Sequence, residues 1–468
     1  MKIEEIVQAG RPPQDIISDL KQKNIVLPPW EKLKKEYDPQ YHDVMTDKSY
    51  HDKTRKGGIE KVTRITYDLQ RLAVKRMTEL MFAIPVKRVY HPENDGQKKV
   101  AAIMEAIYKK NHINSENIRR GRNLFASCET CTIWYTQEAE TTYAGVKSKL
   151  KLRCKSYSPK DGDQLYPLFD DYDDMIAMSV EYSRLEANKT ETYYFDTYTA
   201  DHHYRWVNSG KGWEADEVEP INIGKIQGTY TSRPDGPIWE GDPQSRNVSE
   251  LEWTTSREGN YLRKNSRPTW VIYTDSVKPT TGGEKNTDEN SGRNVLRYSK
   301  DSKAGYATWD QATDALKFQC DELKRNFFTS LQLPDMSMDQ MKAIPMSGEA
   351  RKMLFIDCQL KCIDESGPWL ETFDRENNVV KAFMTVMFPD LKADIEALQV
   401  ENVITPFEID DESSTITDYT NATGGAPIAS QKTAIQRLGW VDDADEELQQ
   451  IQSESSQTED LFNNEPTQ

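Results

Sequence analysis

The spacing of apolar residues between Trp309 and Leu331 predicts an amphipathic helix. Apolar side chains recur at helical intervals along this segment: Trp309, Ala312, Leu316, Cys320, Leu323, Phe327 and Leu331. The other side carries Asp310, Asp314, Lys317, Asp321, Lys324 and Arg325, with Asp314–Lys317 and Asp321–Arg325 spaced as favourable ion pairs. Thr308 and Gln311 form a capping box that starts the helix. One side should therefore pack, and the other should face water.

A second helix is predicted after a methionine-rich loop. Pro334 ends the first helix, because the residue before a proline disfavours the α conformation. Ser347 is a good N-cap, and Glu349 suits the positive end of the next helix dipole. The intervening sequence, PDMSMDQMKAIPM, is too long and too rich in methionine for an ordinary turn, and such loops usually have a function.

The rest of the chain mixes helix and strand signals, which indicates an α+β protein. Further helices are predicted at 15–23, 59–82, 96–110, from 113 onward, and at 247–265, where Gly259 weakens the helix by up to about 1 kcal/mol. Alternating apolar and polar residues predict sheet from 150 to 219, and the segments RPTWVIYTDS and ENVITPFEID are predicted strands. The sequence from about 129 is expected to form an edge of sheet.

The two ends of the chain carry weaker signals. Residues 1–57, with their proline- and charge-rich segments, are expected to lie as an arm over the body. Gly367 and Pro368 should break or kink the second helix before it resumes over 369–387. A helix from Ser430 and another capped at Asp442 follow, and residues 453–468 have the composition of a disordered tail.

Composition restricts the class of protein. The 468 residues suffice for two or three domains, while only 36% are hydrophobic and the net charge is -17. No segment has the apolar length of a membrane span, and the first residues lack the pattern of a signal peptide. We therefore expect a soluble protein made in a cytosol, with its six cysteines reduced.

Several clusters could hold a metal or nucleic acid, although a plain structural role is favoured for each. Cys128 and Cys131, with Cys358 and Cys362, could make a zinc site, or be ordinary core residues. The carboxylates of Asp170, Asp171, Asp173 and Asp174 could bind a divalent cation, but they lack the spacing of a calcium loop and suit a hairpin turn.

Basic and imidazole side chains give two further candidates. Arg119, Arg120 and Arg122 could contact nucleic acid, or form a solvated helix face or subunit contact. His202 and His203 should point to opposite faces of a strand, which does not suit joint metal ligation. No phosphate loop, HExxH, GxSxG or GxGxxG motif is present, so we predict no enzyme activity, no catalytic residue, no bound metal and no cofactor.

Three stretches resemble the portal proteins of tailed bacteriophages, especially those of phages of Bacteroides and its relatives. They are TWDQATDALKFQCDELKR, LPDMSMDQMKAIPMSGEARKMLFIDCQLKC and ATGGAPIASQKTAIQRLGWVDDADEEL. The segment ELMFAIPVKRVY also resembles a helix-to-strand step in these head-to-tail connectors. The combination of segments is specific, whereas each alone would not be.

The resemblance implies an α+β portal fold with wing, stem, clip, tunnel loop and crown. The implied divisions are an N-terminal arm (1–57), wing (58–240), stem helix 1 (241–265), clip (266–304), stem helix 2 (305–333), tunnel loop (334–348), wing helix region (349–405), crown or C-terminal wing segment (406–452) and disordered tail (453–468). The order of helix, small β excursion and helix between 247 and 331 suits stem, clip and stem.

The resemblance also implies site residues. The tunnel loop would face DNA through Pro334, Asp335, Met336, Ser337, Met338, Asp339, Gln340, Met341 and Lys342. The channel would be lined by Asp310, Asp314, Lys317, Asp321, Lys324 and Arg325, and the clip would dock other proteins through Lys278, Lys285, Asn286, Asp288 and Glu289. Methionine would give an apolar contact that slides over DNA, or would simply pack between neighbouring loops.

The implied role is a dodecameric ring at one capsid vertex of the virion, assembled in the cytoplasm of a host bacterium. Its implied partners are further copies of the chain, double-stranded DNA, the terminase large subunit, the major capsid protein and head-completion or adaptor proteins, with no membrane. An acidic chain binds phosphates weakly, which suits a wall along which DNA slides. The alternatives are a metal-dependent nuclease using Asp170–Asp174 and a monomeric binding scaffold.

Overall fold

The computed structural model describes most of the chain. The described residues are 3–8, 10–22, 25–55, 58–185, 191–241, 246–265, 269–273, 295–298, 305–307, 313–333, 348–407, 412–424, 427–438, 441 and 444–463. The chain divides into two compact units, one of Met1–Asp335 with Asp357–Phe407 and one of Met336–Ile356 with Glu408–Gln468.

Helices occur along the whole described chain. They are α1 (Ile3–Ile6), α2 (Pro13–Leu20), α3 (Trp30–Tyr37), α4 (Asp43–Thr46), α5 (Leu69–Phe82), α6 (Asp95–Lys110), α7 (Ile113–Ser127), α8 (Arg246–Asn265), α9 (Thr313–Ser330), α10 (Gly348–Met387), α11 (Lys392–Ala397), α12 (Glu412–Thr423), α13 (Gln431–Leu438) and α14 (Ala444–Asn463). None of these helices is both long and apolar enough to cross a membrane.

Strands are concentrated in the middle of the first unit. They are β1 (Lys53–Arg55), β2 (Gly58–Glu60), β3 (Lys87–His91), β4 (Glu129–Tyr143), β5 (Val146–Tyr157), β6 (Gln164–Phe169), β7 (Met175–Leu185), β8 (Glu191–Tyr198), β9 (His202–Asn208), β10 (Glu214–Pro220), β11 (Gly228–Ser232), β12 (Thr269–Tyr273), β13 (Val295–Tyr298), β14 (Gly305–Ala307) and β15 (Gln399–Val403). The mixture of helix and sheet confirms the predicted α+β class.

The predicted sheet between 150 and 219 is confirmed, and it belongs to two separate sheets. One is an antiparallel meander in the order β10-β9-β8-β7-β6, and the other has the order β11-β4-β5. The expectation that the sequence from 129 forms an edge was wrong, because β11 and β5 pair with the two sides of β4. The predicted ENVITPFEID strand is β15, which pairs with β3.

The N-terminal segment packs on one face of the five-stranded sheet, as expected for an arm over the body. Ile6 of α1 and Ile17 and Leu20 of α2 are buried against Phe195 of β8 and Trp206 of β9. Aromatic rings bury large apolar areas, so these few contacts can hold a short helical segment that would not be stable alone.

Two helix-rich clusters form the rest of the core in the first unit. In one, Met77 of α5 and Phe125 of α7 pack with Trp369 and Phe373 of α10. The α5 and α7 helices approach closely at Gly121, where an added Cβ would lie 2.9 Å from the Phe82 ring. The second cluster joins α6, β4 and the C-terminal half of α10.

Of the predicted break or kink at Gly367 and Pro368, the break was wrong, because α10 continues from Gly348 to Met387. Side-chain hydroxyls bind carbonyls around the proline: Ser366 donates to Ile363 and Thr372 to Pro368, both at 2.7 Å. A proline costs a helix about 3 kcal/mol. Burial of Trp369 and Phe373 contributes about 1.5–3 kcal/mol each, so packing outweighs this local cost.

A buried ion cluster joins α7, β3 and α10 and explains part of the arginine-rich segment. Arg120 donates to Glu376 at 2.7 Å, and both side chains are at most 1% exposed. Burial alone would lower the pKa of Arg120, but the Glu376 charge raises it, so the guanidinium stays ionised. Arg119 pairs with Asp161 at 3.0 Å. Arg119 is exposed, as expected for a solvated helix face, but that expectation was wrong for Arg120, which is a core residue paired with Glu376.

The predicted metal candidates have other partners. Asp170 accepts hydrogen bonds from the backbone N–H groups of Tyr172 and Asp174, as in the expected hairpin turn. His203 is buried while His202 is exposed, as expected for opposite strand faces. Within the described part of the chain, no group of three or more His, Cys, Asp and Glu side chains could hold a metal ion.

The cysteines behave as core residues. All six thiols are free, and Cys128, Cys131, Cys358 and Cys362 are buried. Burial raises the pKa of Cys128 to about 12 and that of Cys358 to about 11. Such thiols stay protonated at neutral pH, which does not suit nucleophilic attack.

The second unit contains two helices that were predicted and one that was not. Helix α13 follows Ser430, whose hydroxyl accepts from the Thr433 N–H at 3.2 Å, and α14 follows at Ala444. Helix α12 was missed. The predicted disordered tail from 453 was wrong as far as Asn463, because α14 continues to that residue. The glutamine and glutamate residues that suggested disorder also have good helix propensity.

Candidate functional site

The two predicted stem helices are present and contact each other. Helix α8 covers Arg246–Asn265 and α9 covers Thr313–Ser330, and they pack together in the first unit. Between them in the sequence lie the three strands of a small sheet. Its order is β13-β12-β14, with β13 parallel and β14 antiparallel to β12. Residues 305–307 form β14, so including them in a second stem helix was wrong. Residues 308–312, with the predicted capping box and Asp310, lie outside the described residues.

Helix α9 has the predicted packed and exposed sides. Phe327 and Leu331 are buried with Val248 of α8 in one core cluster, and Phe318 is 69% exposed. The predicted channel-lining residues of this helix are exposed at Asp314, Lys317, Asp321 and Arg325, and half-buried at Lys324. The predicted Asp321–Arg325 pair is replaced by one between Arg325 and Glu322. The exposed side therefore carries both signs of charge.

An extended segment holds α8 along its length, and we call residues 61–67 the strap. The strap donates three backbone N–H groups to side chains of α8: Tyr67 to Glu252 at 2.8 Å, Ile65 to Ser256 at 2.8 Å and Thr63 to Asn260 at 2.6 Å. Four residues of helix advance about 6 Å. Two residues of extended chain advance about 6.6 Å, so every second strap amide meets every fourth helix residue.

The prediction of a helix over 59–82 was wrong at its N-terminal end. Helix α5 starts only at Leu69, and the extended strap precedes it. The sequence of the strap, VTRIT over 62–66, is rich in β-branched residues, which favour extended backbone. Apolar residues at helical spacing concealed this preference. An extended strap also exposes its alternate amides to α8, which a helix at this position could not do.

The strap lies unusually close to α8 at Gly259. A Cβ added at Gly259 would lie 2.9 Å from Cγ2 of Thr63. Tyr50 adds to the contact, since its hydroxyl donates to the Thr63 carbonyl at 2.9 Å and its ring packs edge-on against Trp253 at 5.2 Å. Gly259 was interpreted as a weakness of the helix, but its missing side chain makes room for the strap.

A buried histidine ties the N-terminal segment to the same face of α8. Nδ1 of His42 lies 2.7 Å from Oε1 of Glu252, and Nε2 lies 2.8 Å from the carbonyl of Glu36. Both ring nitrogens face acceptors, so the doubly protonated imidazolium satisfies both contacts. Burial lowers the pKa of His42, but the hydrogen bond and charge of Glu252 outweigh it and raise the pKa above its ordinary 6.5. His42 and Glu252 are therefore best described as a charged pair.

Other predicted site residues lie outside the described part of the chain. These are the tunnel-loop residues Pro334, Asp335, Met336, Ser337, Met338, Asp339, Gln340, Met341 and Lys342 and the clip residues Lys278, Lys285, Asn286, Asp288 and Glu289. Sequence reasoning did not identify His42 or the ladder of Glu252, Ser256 and Asn260. A usable signal for the ladder was polar residues repeating every four positions along a helix.

Comparison with known proteins identifies the family. Residues 26–460 match the family model described as "Phage portal protein, SPP1 Gp6-like". No curated protein sequence is significantly similar to the chain. A chain of the solved structure "Neck of empty GTA particle computed with C6 symmetry" is 9% identical, with a TM-score of 0.41 over 79% of this chain and 89% of that chain.

A chain of "Virion of native gene transfer agent (GTA) particle" is also 9% identical, with a TM-score of 0.39 over 91% of this chain and 98% of that chain. The family model, in contrast, matches this sequence directly and covers nearly all of it. This protein therefore belongs to the phage portal protein family, SPP1 Gp6-like.

Proposed function

We propose that this portal protein assembles through side-to-side contacts into a dodecameric ring at one capsid vertex of the virion. In the proposal, double-stranded DNA enters and leaves through the central channel, driven in by an ATP-powered terminase. Membership of the portal family supports this role most directly. Helices α8 and α9 pack on each other, and the strands of a small sheet lie between them in the sequence, which is the order expected for stem, clip and stem.

The exposed side of α9 is the proposed channel wall. It presents Asp314, Lys317, Asp321 and Arg325, a mixed surface on a chain whose net charge is -17. Tight phosphate binding needs an excess of cations that displace counterions from DNA, which this surface lacks. Such a wall would let DNA slide past. Residues 334–348 are the proposed tunnel loop, with Lys342 as its cation, and residues 266–304 are the proposed clip, where terminase and head-completion proteins dock.

The ring is tested by light scattering and negative-stain imaging of the purified protein over a range of concentrations. We expect particles of roughly a dozen subunits with a central hole. A monomer at every concentration, in the presence and absence of the major capsid protein, would contradict the proposal.

The channel wall is tested by reversing charge on α9. Asp314→Lys with Asp321→Lys should slow DNA packaging, because added lysines bind phosphates and hold the moving duplex. Glu371→Lys with Asp390→Lys, at exposed positions elsewhere in the first unit, is the matched control. If both double variants form rings and package DNA equally well, the channel assignment is refuted while the proposed ring is not.

The tunnel loop is tested by deleting residues 335–342. Rings should form normally while DNA packaging in an assembly reaction falls. Deletion of residues 461–468, an equally long segment at the C-terminus, serves as the control. Unchanged packaging after the first deletion would refute the tunnel-loop assignment.

A further inference from the structure

A cavity of about 470 Å³ lies between the two large sheets. Strand β5 supplies Lys155 and Tyr157 on one side, while β7 supplies Tyr182 and Arg184 on the other. Residues of β8 and β9 complete the wall, including Asp196 and His203. The volume is within the range of small-molecule sites, which is about 300–1,000 Å³.

The acidic charge inside this cavity is already neutralised. Asp196 is 1% exposed and accepts from Arg205 at both oxygens, over 2.9 and 3.2 Å, and from the Tyr182 hydroxyl at 2.9 Å. Its pKa is lowered: desolvation opposes ionisation, but the hydrogen bonds from Arg205 and the nearby imidazole of His203 outweigh it. The charges of Asp196 and Arg205 therefore neutralise each other. The remaining carboxylate, Glu219, has a side chain that is 57% exposed, and it contacts His203 Nδ1 at 3.3 Å.

Two cations on the cavity wall contact aromatic rings. Nζ of Lys155 lies 4.3 Å from the ring centre of Tyr157 and 4.9 Å from that of Tyr182. The guanidinium of Arg184 lies 5.2 Å from the same Tyr182 ring. Neither cation makes an ion pair with a carboxylate among the described residues. Desolvation lowers the pKa of Lys155; the charge of Asp163 opposes this shift, and the charge of Arg184 adds to it.

One ring nitrogen of His203, also on the wall, makes no hydrogen bond to any described residue. His203 is 8% exposed, and its Nε2 has no hydrogen-bond partner in the described part of the chain. The nearest carboxylate oxygen, Oδ1 of Asp196, is 3.7 Å away. Buried polar atoms are normally hydrogen-bonded, so this nitrogen marks a place for a ligand atom. Unpaired cations near an unsatisfied nitrogen together favour an oxygen-rich anion.

We propose that this cleft binds a small multivalent oxyanion, either a phosphate compound or a polycarboxylate, between Lys155 and Arg184. The anion neutralises two cations that both lie beside the Tyr182 ring, and it stabilises the contact between the two sheets. The cations cover the tyrosine rings, so the site selects charge and not an aromatic base. This inference is independent of the DNA channel.

Thermal unfolding with inorganic phosphate or citrate, against sodium chloride at equal ionic strength, tests the site. A bound anion should raise the Tm by at least about 3 °C at saturation. A response to phosphate alone identifies a phosphate site, and one to citrate alone a carboxylate site. Lys155→Met and Arg184→Met should each abolish most of the rise.

The control variant is Lys149→Met, an exposed lysine of the same strand that does not line the cavity. It should keep the full response. Isothermal titration with the same anions checks binding directly, also in variants of altered stability. Equal Tm values in phosphate, citrate and chloride for the wild type, or the same anion response in Lys155→Met and the wild type, would overturn the proposal.

Discussion

Two buried ion pairs, Arg120–Glu376 and His42–Glu252, have similar distances but respond differently to pH. In each pair a nitrogen lies 2.7 Å from a carboxylate oxygen of a nearly inaccessible side chain. The guanidinium of arginine stays charged at all ordinary pH values, whereas an imidazolium loses its proton near neutrality. The first pair is therefore a permanent part of the core. The second can be removed by a change of pH that leaves the core intact.

Loss of the Glu376 charge should have the largest effect. Glu376→Gln leaves Arg120 and also Arg88, whose NH2 group lies 4.0 Å from Glu376, without a buried counter-charge. We expect the free energy of unfolding to fall by about 3–5 kcal/mol, measured by chemical denaturation. Glu371→Gln, an exposed position on the same helix, should change it by less than about 0.5 kcal/mol. Similar losses in both variants would show that the pair has no special role.

A methyl group added at Gly259, where α8 meets the strap, should have an intermediate effect on the free energy of unfolding. Gly259→Ala places Cβ 2.9 Å from Thr63, so we expect a loss of about 1–3 kcal/mol through overpacking. Gly367→Ala is the matched control, because its added Cβ meets nothing within 4 Å and alanine favours helix by up to about 1 kcal/mol. A gain of stability in both variants would mean that the strap does not lie against α8 in solution.

Loss of the His42–Glu252 pair should have the smallest effect on the free energy of unfolding, and that effect should depend on pH. The pKa of His42 is raised on folding, so its stabilisation is complete below the unfolded value near 6.5 and is lost as the pH rises through the folded pKa. His42→Gln should remove this part of the pH dependence and lower stability at pH 6 by about 1 kcal/mol. His202→Gln, at an exposed strand position, should retain the wild-type slope. An unchanged slope in His42→Gln would exclude the charged pair.

Local patterns predicted much of the fold. Periodicity predicted the packed side of α9 and the strands of the five-stranded sheet, and the N-cap signal at Ser347 predicted the helix that begins at Gly348. Resemblance added the family, which the sequence match confirms. The predictions from periodicity share a cause, because each depends on side chains a few residues apart that must face one common core.

The errors occurred where distant residues override a local preference. The strap has apolar residues at helical spacing, but its extended form depends on Glu252, Ser256 and Asn260, which lie nearly two hundred positions later. Pro368 is a helix breaker locally, yet the packing of Trp369 and Phe373 keeps α10 continuous. The His42 pair was missed for the same reason, since Glu252 follows 210 residues after it.

The strap also sets a requirement on the order in which the chain is made. Its amides leave the ribosome 185 to 197 residues before their acceptors on α8. At typical synthesis rates of about 5–20 residues per second, that interval is roughly 10–40 s. During this time the N–H groups of Thr63, Ile65 and Tyr67 lack their acceptors on α8 and are open to water or to another chain. Correct folding of this region therefore has to wait for residue 260.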